Sequence, residues 1–393
     1  MASRLRWIVL GIFVLSTALN YLDRLLVAAL APTLKSEFHL SNAQYGGIIS
    51  VFSLVYALTA PVAGWFIDRV GLSAGITVSM AVWSLAGIAT GLTRSFAGLL
   101  ASRTVLGIGE AAGIPCAGKA NATYLQPREL ALGTALNQVG ITIGSIAAPL
   151  MVAVLAPIYG WRSVFVVCGA MGFLWIPVWL ATANRIPVPP NEPATPPSGI
   201  AKILRDRRIW SLAAANALVM TVYTLWTNWT TLYFVEQHHL SEVQANEHFA
   251  WIPPVFATLG GFAGGWLAFR SIRAPSEALR ARLRICSIAA AILLLTAAVP
   301  LMPSPASAAA LISFSFFWCL AISTNIYAMP IDLFGARHAA FGVSILTSSY
   351  GLMQTVLSPL IGSMVDHLGF PAVCIAVSVM PLAGIALLRA ATR

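Results

Sequence analysis

The amino-acid sequence predicts an all-α integral membrane protein in which twelve transmembrane helices form two pseudo-symmetric six-helix bundles. Three observations lead to this prediction: the composition, the number of long apolar runs, and two sequence echoes, which are pairs of similar segments with one member in each half of the chain. Of the 393 residues, 58% are hydrophobic and only 9% are charged, whereas soluble domains contain about 25% charged residues. The composition therefore excludes an ordinary soluble domain.

Each long apolar run predicts a helix because about 20 residues suffice to cross a bilayer. The first run follows Arg4 and Arg6, as in a secretion signal, but it is too long and lacks a small-residue cleavage pattern, so we interpret it as the first helix. In chain order the predicted spans are 7–31, 44–67, 73–92, 97–124, 130–156, 162–183, 209–236, 246–269, 283–302, 307–333, 340–366 and 371–391.

A proline-rich segment, "RIPVPPNEPATPPSG" (185–199), separates the sixth and seventh spans. It predicts an N-terminal bundle over 1–184, a cytoplasmic linker over 185–208 and a C-terminal bundle over 209–393. Two echoes connect the halves: "GWFIDRVG" (64–71) with "GWLAFRSIR" (265–273), and "APLMVAVLAPIYGW" (148–161) with "SPLIGSMVDHLGF" (358–370). Because both echoes fall at matching helix ends, they indicate an internal duplication.

The net charge of +10 would suggest a nucleic-acid partner in a soluble protein, but the distribution of the charges explains it differently. Seventeen Lys and Arg residues fall on the side of the membrane that holds the N-terminus, and three, Lys35, Arg94 and Arg162, fall on the other side. By the positive-inside rule both termini are cytoplasmic, and we expect a multi-pass protein of the cell's inner (plasma) membrane. We expect contact with anionic lipid and no nucleic-acid partner.

Cysteine and histidine residues give no sign of a metal or cofactor site. All five cysteines lie within predicted spans without the spacing of metal ligands, and the six histidines lie at span ends or in loops. We therefore expect no metal and no cofactor. An intramembrane enzyme would need groups arranged for nucleophilic or metal chemistry, so we predict no catalytic residues and regard an enzyme as the weaker hypothesis.

Three segments carry a family resemblance: "NYLDR" (20–24), "RTVLGIGEAAGIP" (103–115) and "ALNQVGITIGSIAAPL" (135–150). With the turn formed by Gly64, Asp68, Arg69 and Gly71, they resemble the anion:cation symporter family of the major facilitator superfamily, and most of all its bacterial hexuronate branch. The resemblance implies the major facilitator fold and a secondary active transporter. Such a protein would import a small organic anion, a sugar acid such as hexuronate or aldonate, together with protons, and a monomer would suffice.

Four ionisable residues lie away from the ends of the predicted spans: Asp23, Arg24, Arg103 and Glu110. A charge in mid-bilayer costs about 2.5–3.5 kcal/mol even on a lenient scale, so each needs a partner or a watery cavity. Arg103 and Glu110 are seven residues apart and share a helix face, whereas Asp23 and Arg24 face different neighbours. One interpretation is a purely structural cluster of ion pairs.

The other interpretation is a binding site. The two acids and two bases sum to zero charge, and an entering carboxylate would be gripped by Arg24, after which a neighbouring acid would take up a proton. The family resemblance agrees, since it implies proton coupling at Asp23 and Glu110 and carboxylate binding at Arg24. Arg103 would hold an acid in place. Which acid titrates first is left open.

Further polar and aromatic residues are candidates for substrate contact, although helix-to-helix hydrogen bonding or interface anchoring explains each of them equally well or better. They are Asn20 and Tyr21 on the first span, Tyr56 on the second, Asn137 and Gln138 on the fifth, and Trp226, Asn325, Ser348 and Ser349 in the C-terminal half.

The turn that contains Asp68 and Arg69 is a candidate gate on the cytoplasmic side, with Arg128 as a partner for Asp68. The alternative is that Arg69 only anchors the helix at the membrane surface. A non-transporting sensor, and an anion exchanger or exporter without proton coupling, are the other functions that this sequence allows.

Overall fold

The computed structural model describes residues 2–126, 129–183 and 200–392, and every regular element within these ranges is a helix. The first group comprises α1 (Ala2–Ala29), α2 (Ala31–Phe38), α3 (Asn42–Val70), α4 (Leu72–Leu92), α5 (Phe96–Glu110), α6 (Gly113–Tyr124), α7 (Leu130–Tyr159) and α8 (Trp161–Ala183). The second group comprises α9 (Ile200–Arg205), α10 (Arg207–His238), α11 (Glu242–Ala245), α12 (Ile252–Ser271), α13 (Ala278–Ile292), α14 (Pro305–Phe334) and α15 (Ala336–Thr392). A π-turn (Asn246–Ala250) joins α11 to α12, and a 3-10 segment (Leu293–Leu301) follows α13.

The described helices account for all twelve predicted membrane crossings. Among the described residues, ten helical stretches are long and apolar enough to span a bilayer. One of them, α15, is two helices joined at Gly369, where the backbone leaves helical geometry. The fourth predicted crossing is also present, but it is divided into α5 and α6, each of which is too short to span alone.

Two glycines make the turns at which equivalent helices of the second echo end. Gly160 has φ of 78° after α7, and Gly369 has φ of 74° within α15. A residue with a side chain rarely adopts this region, so glycine allows the chain to reverse between successive helices. The same turn therefore occurs at the same place in both echo segments.

The break between α5 and α6 comes directly after Glu110. Pro115 has no backbone N–H, so the carbonyl oxygen of Ala111 cannot receive the usual bond from the residue four positions later. The chain makes a turn at Ala111 and Ala112 before α6 begins at Gly113. Glu110 is thus the last residue of α5.

The described residues form two compact units. The first unit contains the described residues of 1–40, 51–194 and 241–251, and the second contains those of 41–50, 195–240 and 252–393. Helix α3 therefore begins in the second unit and ends in the first. The bundle boundaries predicted at 184 and 209 stay a prediction, because most of the predicted linker lies outside the described residues.

Small residues bring the helices of each unit close together. In the first unit, a Cβ atom added to Gly144 of α7 would lie 2.2 Å from the carbonyl oxygen of Ala18 on α1. In the second, a Cβ on Gly264 of α12 would lie 2.5 Å from the carbonyl oxygen of Ala321 on α14. Backbones can approach this closely only where a side chain is absent. The first of these contacts fixes α1, the helix that carries Asp23 and Arg24.

Candidate functional site

A buried ion pair joins α1 to α5 in the first unit. Arg24 donates hydrogen bonds from Nε (3.1 Å) and Nη2 (3.0 Å) to the same oxygen, Oε2, of Glu110. The Glu110 side chain is fully buried, whereas the Arg24 side chain keeps 17% of its surface exposed. The second oxygen of Glu110, Oε1, has no hydrogen-bond partner among the described residues. Two residues that the sequence marks as buried charges are therefore in direct contact.

Three aromatic rings surround the Arg24 guanidinium. Its central carbon lies 4.8 Å from the ring centre of Tyr21, 5.0 Å from that of Phe52 and 4.7 Å from that of Tyr56. Nη2 also donates to Oδ1 of Asn20, one helical turn earlier, at 3.3 Å. Ring faces attract cations, so this surrounding fixes the position of the guanidinium and stabilises its charge. The structure thus brings Asn20, Tyr21 and Tyr56 to Arg24.

Asp23 takes no part in the hydrogen bonds of this ion pair. Its side chain is 3% exposed, and within the described parts of the chain neither carboxylate oxygen accepts a hydrogen bond. Oδ1 lies 3.9 Å from the position that a Cβ on Gly87 of α4 would take, so the carboxyl group faces α4. Consecutive residues of a helix project about 100° apart, which explains why Asp23 and Arg24 have different neighbours. Buried polar groups normally have partners, so an unpartnered carboxyl here requires an explanation.

Arg103 completes the group of four charges. It is 3% exposed, its Nη2 donates to the carbonyl oxygen of Arg24 at 3.3 Å, and its guanidinium lies 4.7 Å from the ring centre of Phe52. It lies within electrostatic range of both Asp23 and Glu110. The Phe52 ring therefore contacts two guanidinium groups. The structure shows Arg24 holding Glu110, and the predicted role of Arg103 in holding an acid stays a prediction.

In the C-terminal half, Asn325 of α14 connects three helices. Its Nδ2 donates to the carbonyl oxygens of Gly264 on α12 (3.0 Å) and Ala321 (2.9 Å), and its Oδ1 accepts from Nη1 of Arg282 on α13 (3.3 Å). Arg282 also pairs with Asp332 through Nε at 2.8 Å. The hydrogen bonds of Asn325 are thus made within the second unit.

The other candidates lie in varied surroundings. Ser349 donates to the carbonyl oxygen of Leu346 and accepts from Asn216, and Ser348 is exposed. Trp226 is buried and packs edge-on against Tyr233 at 5.4 Å. On α7, Gln138 is exposed, and Oδ1 of Asn137 has no partner among the described residues.

Among the described residues, the partner of Asp68 in the predicted gate is a lysine. Asp68 pairs with Lys119 of α6, whose Nζ lies 2.8 Å from Oδ1. Arg69 lies against the ring of Trp65, one turn earlier, at 5.7 Å. Arg128, the expected partner, lies outside the described residues. The structure brings Asp68 and Lys119 together, and their role in gating stays a prediction.

Sequence reasoning overlooked Phe52 and the pair of Arg282 and Asp332. Phe52 precedes Tyr56 by four residues, so it lies on the same face of α3 and could have been found from that spacing. The predicted ninth span begins at 283, one residue after Arg282, whereas α13 begins at Ala278. The charge of Arg282 is therefore inside a helix.

Comparison with known proteins agrees with this architecture. The family model described as Major Facilitator Superfamily matches residues 13–329. A hexuronate transporter of Escherichia coli (strain K12) is 27% identical, over 97% of this chain and 92% of that protein. A galacturonate transporter of Dickeya chrysanthemi is 31% identical, over 67% of this chain and 81% of that protein. A probable L-galactonate transporter of Escherichia coli (strain K12) is 25% identical, over 87% and 78%.

Among solved structures, a bacterial homologue of the human lysosomal transporter Spinster, in an inward-facing and occupied conformation, superimposes with a TM-score of 0.79. It is 22% identical and the match covers 98% of this chain and 95% of that one, which demonstrates a shared fold. The helices, the family match and these relatives lead to the same conclusion. The chain belongs to the major facilitator superfamily and is a multi-pass membrane transporter, not an enzyme.

Proposed function

We propose that the chain imports a small organic anion, a sugar acid such as a hexuronate or an aldonate, together with protons and by alternating access. The observation that carries this proposal is a buried ion pair, Arg24 with Glu110, within electrostatic range of Asp23, a buried carboxyl group that accepts no hydrogen bond from the described residues. The named substrates of the similar transporters support the substrate class, since hexuronate, galacturonate and galactonate each carry one carboxylate and several hydroxyl groups.

Arg24 is the residue that we assign to the substrate carboxylate. Its two bonds to Glu110 use Nε and Nη2 and end on one oxygen, so Nη1 lies outside the ion pair. Of the pair, only Arg24 keeps exposed surface. A guanidinium can hold a carboxylate through two parallel hydrogen bonds. A carboxylate held in this way by Nη1 and Nη2 competes with Glu110 for Nη2. Tyr21 and Tyr56 lie where they can contact the remainder of the substrate.

Glu110 and Asp23 are the residues that we assign to proton coupling. When the substrate engages Arg24, Glu110 is left as a buried carboxylate with a weakened counter-charge, and binding a proton removes the cost of burying that charge. The anion and the proton then enter together, because each lowers the electrostatic cost of binding the other. In this mechanism the inward proton gradient supplies the energy for accumulation.

The test is uptake of labelled glucuronate, galacturonate and galactonate into proteoliposomes, with and without an inward proton gradient. We expect accumulation only with the gradient. Glu110→Gln keeps an acceptor for Arg24 but cannot exchange a proton, so it should lose gradient-driven accumulation and retain exchange of labelled for unlabelled substrate. Glu37→Gln is the matched control, because Glu37 pairs with Arg162 at an exposed position.

Two results would reject proton coupling. Accumulation by the wild-type chain that does not depend on the gradient would favour an anion exchanger or exporter. Gradient-dependent accumulation that survives Glu110→Gln and Asp23→Asn would make both acids structural. The cytoplasmic position of both termini is part of the same proposal, and reporter fusions at each end test it.

A further inference from the structure

Four arginine side chains lie against tryptophan rings in the described part of the chain. The guanidinium carbon lies 5.9 Å from the ring centre in Arg6 with Trp7, 5.7 Å in Arg69 with Trp65, 4.4 Å in Arg162 with Trp161, and 4.6 Å in Arg270 with Trp266. Such contacts hold a flexible side chain in one position and leave its N–H edges accessible.

Carboxylates neutralise two of these four arginines. Arg6 pairs with Glu129 at 3.0 Å, and Arg162 pairs with Glu37 at 2.8 Å. Neither Arg69 nor Arg270 forms an ion pair with any described residue. Two guanidinium groups are therefore positioned by a ring and retain an uncompensated positive charge.

These two contacts share one local design. In each, arginine follows tryptophan by four residues in the last turns of a long helix, α3 or α12, so the two side chains lie on one face. Trp65 is 61% exposed and Trp266 is 53% exposed. The two segments are the members of the first sequence echo, and the distribution of charges places both on the cytoplasmic side.

We propose that the pairs Trp65 with Arg69 and Trp266 with Arg270 are two matched binding sites for the headgroup phosphate of an acidic phospholipid. An exposed indole ring is favoured at the boundary between water and lipid, where headgroups lie. The guanidinium that it holds can donate parallel hydrogen bonds to two phosphate oxygens. The positive charge at a helix C-terminus is also favoured by the helix dipole.

The two sites differ at one position. Asp68 precedes Arg69, and its negative charge would repel a phosphate, but Lys119 neutralises it at 2.8 Å. At the corresponding position of the second site is Phe269, which is 81% exposed and extends the apolar surface towards lipid. The second site should therefore bind more tightly, and the first should depend on Lys119.

The experiment uses the full-length chain in detergent micelles and counts bound lipid by native mass spectrometry during titration with phosphatidylglycerol or phosphatidylcholine. We expect two phosphatidylglycerol molecules to bind more tightly than the rest. Arg270→Gln should weaken one of them about fivefold, since a basic residue at a membrane surface contributes about 1 kcal/mol. Trp266→Leu should do the same without changing the charge.

Two control variants distinguish these specific sites from general electrostatic attraction between acidic lipid and the basic residues of the surface. Arg284→Gln removes an exposed arginine without a ring contact among the described residues, and Arg162→Gln removes an arginine whose charge is already paired. Neither should change the two tight binding events. Equal losses in Arg284→Gln and Arg270→Gln, or equal binding of phosphatidylcholine, would overturn the proposal. Displacement of the lipid by millimolar inorganic phosphate would assign the site to a free anion instead.

The dependence on Lys119 has its own test. Lys119→Met should weaken the first site, and it should have no further effect in the Arg69→Gln background, because its role is to remove the repulsion that Asp68 would exert on a phosphate at Arg69. The same loss in both backgrounds would show that Lys119 does not act through Arg69, and would overturn the assignment of the first site.

Discussion

Replacing Arg24 with lysine tests the proposed carboxylate site most directly. The guanidinium donates two hydrogen bonds to Glu110 and one to Asn20 from a single planar group. A lysine ammonium at the same place keeps the positive charge and one close contact with Glu110. It cannot reproduce the parallel pair of bonds that a carboxylate receives from a guanidinium. The variant should therefore fold and bind substrate weakly.

The expected loss follows from the number of bonds. One hydrogen bond to a charged group contributes about 1.5–3 kcal/mol, and Arg24→Lys removes one of the two bonds to the substrate carboxylate. The dissociation constant should then rise about 10- to 150-fold. The thermal unfolding midpoint without substrate should change little, because the ammonium still compensates the buried charge of Glu110.

Equilibrium binding of labelled glucuronate or galacturonate to the purified chain measures this change. Arg162→Lys is the control, since Arg162 pairs with Glu37 at the surface and should bind substrate as the wild type does. Wild-type affinity in Arg24→Lys would refute the assignment of Arg24 to the carboxylate. A large fall in the unfolding midpoint of the free protein would favour the structural interpretation of the charged cluster.

Two predictions concern stability. Gly144→Ala should destabilise the first unit by about 1–3 kcal/mol, because its Cβ would lie 2.2 Å from the carbonyl oxygen of Ala18. Gly118→Ala, whose Cβ would have no atom within 4 Å, should be neutral or stabilising. Equal thermal unfolding midpoints for the two variants would contradict this prediction. Hydrogen bonds from Arg208 lower the pKa of Asp206, the N-cap residue of α10. Ionised Asp206 therefore stabilises the folded state above its ordinary pKa of about 3.9, and this stabilisation is lost as the pH falls through the lower pKa of the folded protein. The difference in unfolding midpoint between wild type and Asp206→Asn, which keeps the helix cap, should therefore shrink at acid pH; a constant difference would contradict the assignment.

The sequence predicts the positions of the helices closely, because hydrophobic runs are a strong local signal. The second span, predicted over 44–67, is observed over Asn42–Val70, and the seventh, predicted over 209–236, is observed over Arg207–His238. The fourth span was predicted as one helix over 97–124, and the structure interrupts it after Glu110. Average hydropathy does not register such a break, although Pro115 is a local signal for it.

The pairing of the buried charges could not be predicted. The sequence identifies Arg24 and Glu110 as charges inside the membrane, but they are 86 positions apart, and their contact depends on how α1 packs against α5. The same holds for Asp68, which pairs with Lys119 across 51 positions. Contacts of this kind depend on the rotation and depth of whole helices, which periodicity alone does not determine.

The interruption of the fourth crossing has a mechanical consequence. Bending at a proline requires few hydrogen bonds to break, so the break near Pro115 can act as a hinge. Glu110 lies before this hinge in the chain and Lys119 lies after it. A small swing about this hinge would withdraw one carboxylate from Arg24 without disturbing the contact of Lys119 with Asp68 nine residues further along. In the proposed mechanism, the substrate that binds Arg24 would thus move one end of this crossing while the contact between Lys119 and Asp68 holds the other end.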